Sequence, residues 1–201
     1  MLYNFKNLIF IIFFLLLSCK TTKKEKPFKN FAIVSAKIEA SKAGHKILKM
    51  GGNAFDAMIA TDLALAVVYP NAGNLGGGGF MVYRQKSGEN GSLDFREKAP
   101  INAYKNMYLN DDGNVVKNSS NEGALSIGIP GTIAGLFEVY KKFGTLPIDS
   151  LFEPALSLAK NGFPLTNKQA KLFNLNKNKI LKNSDSINLF NKDFKTNMIF
   201  K

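Results

Sequence analysis

Arg96 stands in Leu93-Asp94-Phe95-Arg96-Glu97-Lys98-Ala99-Pro100, at the end of a stretch that reads as a strand. A guanidinium presented there can grip a carboxylate ligand through two charge-assisted hydrogen bonds. It can equally make a structural ion pair with Asp94 or Glu97, and local chemistry leaves both open. The second candidate is Asn74-Leu75-Gly76-Gly77-Gly78-Gly79-Phe80, a glycine run placed directly before the apolar Phe80-Met81-Val82-Tyr83. Such a run is conformationally costly, so it marks a place where backbone must approach a phosphate, a substrate or another backbone. Phosphate binding fails on context. No Gly-Lys-Ser/Thr follows, and a helix precedes the glycines while a strand follows them, the reverse of a dinucleotide fingerprint. Close packing of backbone on backbone is the favoured reading, and a close approach to a substrate stays open.

The other reactive side chains are few. His45 is the single histidine and lies on a predicted helix among Lys42, Lys46 and Lys49, which reads as a solvated surface position. Cys19 is the single cysteine, so no intramolecular disulfide is possible, and no His/Cys zinc site can be assembled. Serine and cysteine triads are equally hard to build. Asp111-Asp112-Gly113-Asn114 could pass for part of a calcium loop, but Asn110 to Gly113 is a standard turn composition, and with Gly113 at the loop's sixth position the twelfth is Ser119 and not a glutamate. No metal and no cofactor are expected.

These candidates need elements to hold them, and the chain between 30 and 167 supplies an alternation of helices and strands. Ser35 can cap a helix running to about Met50, stopped by Gly51-Gly52. Asn53 and Asp56 form a capping pair for a second helix with Phe55, Met58, Ile59, Leu63, Ala66 and Val67 at helical spacing, ended by Tyr69-Pro70. Phe80–Gln85 and Ser92–Phe95 read as a hairpin around Ser87-Gly88-Glu89-Asn90-Gly91. Ala124–Ile129 reads as a further apolar strand stopped by Pro130-Gly131, and helices are expected at Thr132–Phe143 and Ser150–Lys160. This is one mixed α/β (α+β) unit without internal repeats.

The ends have a different character. Residues 1–18 form a signal peptide: Lys6, then ten apolar residues from Leu8 to Leu17, closing on Leu16-Leu17-Ser18-Cys19. Ten apolar residues are too few for a membrane-spanning helix, which needs about 20. The closing tetrad resembles the bacterial lipobox, in which the cysteine is lipidated and begins the mature chain. An ordinary signal peptide with an incidental cysteine is the alternative. Residues 19–30 are a lysine-rich tether, 31–167 the body, and 168–201 a Lys/Asn-rich tail without glycine. The formal net charge of +12 divides as +5 over residues 1–29, +1 over 30–167 and +6 over 168–201. A nucleic-acid binder would carry its charge on the folded body with arginines or aromatics among the lysines, and the body offers only Arg84 and Arg96. No nucleic-acid partner is expected; export, tethering near anionic headgroups or composition bias account for the terminal lysines.

Six motifs in order across residues 32–167 resemble the N-terminal part of the gamma-glutamyltransferases, also called gamma-glutamyltranspeptidases or glutathione hydrolases. They are Ala40-Ser41-Lys42-Ala43-Gly44 leading to Gly51-Gly52-Asn53-Ala54-Phe55-Asp56-Ala57; Asn74 to Met81; Asp94 to Pro100; Gly128-Ile129-Pro130-Gly131-Thr132; Phe143-Gly144-Thr145-Leu146-Pro147; and Asn161-Gly162-Phe163-Pro164-Leu165. The resemblance implies an N-terminal-nucleophile αββα sandwich, incomplete in this chain. It implies an acyltransferase or hydrolase of glutathione or other gamma-glutamyl compounds, in which a precursor cuts itself and the freed threonine attacks the gamma-glutamyl amide. Arg96 then holds the substrate's alpha-carboxylate, and the glycines belong to the framework.

The chain departs from that pattern where the chemistry is done. The family's nucleophile motif is Thr-Thr-His or close to it, whereas the paired threonines here are Thr21-Thr22, followed by Lys23 in the tether. No catalytic residue is therefore assigned, and a missing C-terminal part or small subunit is the expected partner. Four outcomes stay open: half of an enzyme encoded in two pieces, an inactive truncated remnant, a related amide acylase, or a lipid-anchored binding protein reusing the fold. The expected location is the bacterial cell envelope, by a lipid anchor. A fatty-acid probe should label the wild-type chain and leave Cys19→Ser unlabelled; equal labelling of both removes the lipobox reading.

Overall fold

The computed structural model describes residues 30–73, 75–182 and 190–201. The leader, Cys19 and the tether up to residue 29 lie outside the described residues. From Ile33 to Lys201 the described residues belong to one compact unit.

Helices α1 (Ile38–Lys49) and α2 (Ala54–Val68) form a tightly packed pair. Their facing residues are small: Ala40, Ala43 and Gly44 on α1, with Ala57, Ala60 and Ala64 on α2, are all buried. Ser35 does not cap α1. Its hydroxyl donates to the Lys37 carbonyl at 2.7 Å and shares a hydrogen bond with Ser41 Oγ at 2.8 Å, so the helix starts three residues later. The stop after α1 is as expected, with Gly51 in the left-handed region at φ +92°. Among the described residues no helix is long and apolar enough to cross a membrane.

The capping pair of α2 reaches well beyond its helix. Asn53 Oδ1 accepts from the Phe55 and Asp56 amides at 2.8 and 2.9 Å, and Asp56 Oδ2 accepts from the Asn53 amide at 2.9 Å. Asn53 Nδ2 also donates to the Phe143 carbonyl at 2.6 Å, while the Thr145 amide and hydroxyl both donate to the Asp56 carboxylate. Asp56 is completely buried. Its carboxylate therefore fastens the start of α2 to the junction between α3 (Thr132–Phe143) and α4 (Ile148–Asn161). The motifs Gly-Gly-Asn-Ala-Phe-Asp and Phe-Gly-Thr-Leu-Pro are two halves of one hydrogen-bonded joint.

The hairpin consists of β1 (Phe80–Arg84) and β2 (Asn90–Asp94), antiparallel, with Phe80 opposite Asp94 and Arg84 opposite Asn90. The returning strand starts two residues earlier than the sequence suggests. Met81 and Leu93 pack on the core that α2, α3 and α4 share, and Tyr83 joins Phe55 and Phe143 in an aromatic trio with centroids 4.2 to 5.6 Å apart. Residues 124–129 are not a strand. Ala124–Ser126 form a 3₁₀ turn, and only Ile129 pairs, with Lys98. Asn110 to Asn114 form the turn expected of them: Gly113 has φ +78° and the Asn110 side chain accepts from the Asn114 amide at 2.8 Å.

The 168–201 segment carries structure of its own. Helix α5 (Asn167–Lys182) and a short pair of strands, β3 (Phe163–Pro164) and β4 (Ile199–Phe200), close a second core around Phe163, Phe173, Phe190, Phe194 and Phe200. Gln169, almost fully buried, donates to the Val68 carbonyl at 2.8 Å and so anchors α5 to the end of α2.

Asp56→Ala leaves the Asn53 and Thr145 amides without an acceptor inside the protein. It should destabilise the full chain by about 3 kcal/mol, since each orphaned buried group costs about 1–3 kcal/mol. Glu153→Ala, which removes the exposed Lys46–Glu153 ion pair, should stay within about 0.5 kcal/mol. Denaturant unfolding of the two variants side by side checks this; equal losses would remove Asp56 from its place as a joint.

Candidate functional site

The hairpin register runs one pair beyond its strands. Phe95 N donates to Gly79 O at 3.0 Å and Gly79 N to Phe95 O at 3.3 Å. Three residues on, Lys98 and Ile129 exchange two backbone hydrogen bonds at 2.8 and 3.0 Å. The circuit closes where Gly131 N and Thr132 N both donate to Gly77 O, at 2.9 and 3.1 Å. Segments 77–79, 95–98 and 129–132 are thus knitted together by main chain alone, with Arg96 in the middle one.

Only glycine fits where these segments cross. A Cβ on Gly78 would lie 2.5 Å from both the Glu97 nitrogen and the Phe95 oxygen and 2.6 Å from Arg96 Cα, all backbone atoms that cannot rotate away. A Cβ on Gly131 would meet the Phe95 oxygen at 2.0 Å, and one on Gly135 would meet the Phe95 ring at 2.3 Å. The glycine run is therefore a backbone-packing device, as its sequence context implied. Its effect is to clamp Phe95 and the peptide that carries Arg96.

Arg96 projects from this clamp into solvent with its side chain 61% exposed. Its amide donates to Asp94 Oδ1 at 3.0 Å, which fixes the turn. The guanidinium stands 3.7 Å from Glu97 Oε1 and 5.8 Å from the centroid of the Phe80 ring. The ion pair is long and open to water, and contacts of that kind contribute little. The fork is consequently available to a carboxylate while a ring face steadies it.

Arg96 lines two clefts. The larger, about 730 Å³, runs between Leu93–Lys98 and the start of α3, with Pro130, Gly131, Ala134 and Glu138 on its far wall. The smaller, about 220 Å³, lies between Arg96–Pro100 and the 103–128 loop, including Tyr108 and Leu125. Glu138 hydrogen-bonds Lys142, and with the lysine's charge this holds its carboxyl below the usual carboxylate range. The larger cleft is lined by charged and apolar groups with no serine, threonine, cysteine or histidine. What this arrangement offers chemically is a guanidinium fork at a cleft whose other charged groups are Lys98 and the carboxylates of Asp94, Glu97 and Glu138.

Of the sequence candidates, the structure brings Arg96 and the glycine run together. His45 is remote from that grouping in sequence and lies exposed on α1. Cys19 lies outside the described residues. Among the described residues no group of three His, Cys, Asp or Glu could hold a metal ion. Sequence reasoning missed Phe80 beside Arg96, and Gly131 and Gly135 around Phe95. The Gly-Ile-Pro-Gly-Thr motif held the signal for Gly131, but nothing local pairs it with a phenylalanine 36 residues earlier.

A family model described as gamma-glutamyltranspeptidase matches residues 40–199. The chain is 51% identical over 137 residues to a glutathione hydrolase proenzyme of Pseudomonas sp. strain A14, spanning 68% of this chain and 24% of that protein. Its fold superposes on Helicobacter pylori gamma-glutamyltranspeptidase with a TM-score of 0.83 at 44% identity, covering 88% of this chain and 52% of that one. A cephalosporin acylase from Bacillus halodurans superposes with a TM-score of 0.63 at 24% identity, over 85% of this chain and 33% of that one, a likeness of fold alone. The chain spans about a quarter of the length of the curated relatives it matches.

Proposed function

The chain belongs to the gamma-glutamyltranspeptidase family, and from that premise we propose that residues 31–201 supply the carboxylate-binding side of an enzyme that cleaves gamma-glutamyl amides such as glutathione. The observation that carries the reading is the placement of Arg96: its peptide is immobilised by the glycine clamp, while its guanidinium opens on a cleft with only a weak internal partner. A gamma-glutamyl substrate offers an alpha-carboxylate to such a fork, which is why this setting favours it over the amides taken by acylases of like fold.

The nucleophile comes from outside residues 1–201. It is a threonine at a new N-terminus, whose alpha-amine serves as base, so that no histidine is required. An acyl-enzyme forms, and water or an amino acid takes up the glutamyl group. The hairpin is one sheet of an αββα sandwich, and its outward residues Phe80 and Val82, both largely exposed, are the face that a second sheet covers. An acyl chain on Cys19 holds the protein at the bacterial cell envelope.

The test is a chimera in which residues 31–201 replace the matching segment of the Pseudomonas proenzyme. It should mature and release product from a gamma-glutamyl anilide, whereas residues 1–201 alone should release none. A chimera that matures normally yet is inactive overturns the enzymatic reading and favours a remnant or a binding protein. Within an active chimera, Arg96→Ala should lower kcat/KM by roughly 30-fold to 1000-fold, as expected for a lost charge-assisted pair of about 2–4 kcal/mol. Arg96→Lys should recover only part, because a point charge lacks the fork. Unchanged kinetics in the alanine variant would leave Arg96 a structural residue.

A further inference from the structure

Helix α5 holds five lysines and no acidic residue between Asn167 and Lys182. Gln169, Ala170 and Phe173 bury its inner side against the aromatic core. At 3.6 residues per turn, Lys168, Lys171, Leu175, Lys179 and Lys182 fall within about 80° of arc on the opposite side, in a line about 21 Å long. All five are exposed, and Leu175, in the middle, is 82% exposed. Lys179 also meets Glu122 at 3.5 Å, and off the stripe Lys177 meets Asp193 at 3.0 Å. The charge is localised: residues 168–201 carry +6 whereas 30–167 carry +1.

We infer that the outer face of α5 is a contact surface for an anionic lipid bilayer, independent of the catalytic reading. A flat row of flexible ammonium groups suits a plane of headgroups, and each lysine close to an anionic leaflet strengthens binding about fivefold. An exposed leucine at the centre of the row enters the headgroup region, where an apolar tip flanked by long charged side chains is at home. Nucleic acid is the less fitting partner, because the stripe has neither an arginine nor an aromatic for phosphate forks or base stacking.

Co-sedimentation of the full chain, carrying Cys19→Ser so that no acyl group intervenes, tests this with vesicles of phosphatidylcholine alone or of equal parts phosphatidylcholine and phosphatidylglycerol. The ratio of the two partitions removes the contribution of the apolar leader. The wild type should prefer the anionic vesicles, and added salt should erase the preference. Joint replacement Lys168→Gln, Lys171→Gln and Lys182→Gln should reduce the preference roughly 100-fold, each single change about fivefold, and arginine at the same positions should restore it. Replacing Lys86, Lys105 and Lys117, exposed lysines elsewhere, by glutamine should leave the preference unchanged. Three results overturn the inference: equal loss in both triple variants, a stripe variant that binds like wild type because the lysines of the tether suffice, or tighter binding of duplex DNA than of anionic vesicles at the same salt.

Discussion

The approach of bare backbone at Gly78, Gly79 and Gly131 to the peptide of Phe95–Glu97 is the constraint from which the rest of the site follows. Each segment alone is a loop or a strand end that would fray. Held by reciprocal hydrogen bonds to the other two, and too close for any side chain to enter, the 95–98 segment has one position available. Phe95 turns inward against Gly135 of α3 and locks the register; Arg96, next in line, necessarily points the other way. Arg96 is thus positioned by residues with no side chains.

That clamp would drift if the layers behind it could slide. The helix start α3 contributes to it, at Gly131, is linked through α3 itself to Phe143 and Thr145, where the Asn53–Asp56 joint fastens the α3–α4 turn to α2. Tyr83, Phe55 and Phe143 tie the hairpin to the same joint from its other side. One buried carboxylate and one aromatic trio therefore carry rigidity from the helical layer to the ends of β1 and β2. The second core, around Phe173, stands apart from the 95–98 segment in composition and leaves a lysine-bearing helix face turned to solvent.

The helices were legible because their signals are local. Asn53 with Asp56, Gly51, Gly144 and the spacing of apolar residues mark ends that the structure keeps to within a residue or two. Ser35 misled because its hydroxyl had a competing carbonyl within two residues, a choice set by backbone geometry that the sequence does not display. Residues 124–129 misled because their apolar character belongs to an open surface by the 95–98 segment, where one bridge suffices. Arg96 was visible as a motif residue, yet its immobilisation was not: the glycines that fix it lie some 18 residues before it and 35 residues after it. The lysines of 168–201 were visible as composition, and only the helix revealed that Lys168, Lys171, Lys179 and Lys182 share a face.

Whether Gly78 acts on function through Arg96 is decided by a double-mutant cycle in the active chimera. Gly78→Ala should lower kcat/KM in the wild-type background on the scale of the Arg96→Ala loss, and should cost almost nothing further once Arg96 is already alanine. The same loss in both backgrounds, or no loss in either, would mean that the glycines serve only general stability and that Arg96 owes its position to something else.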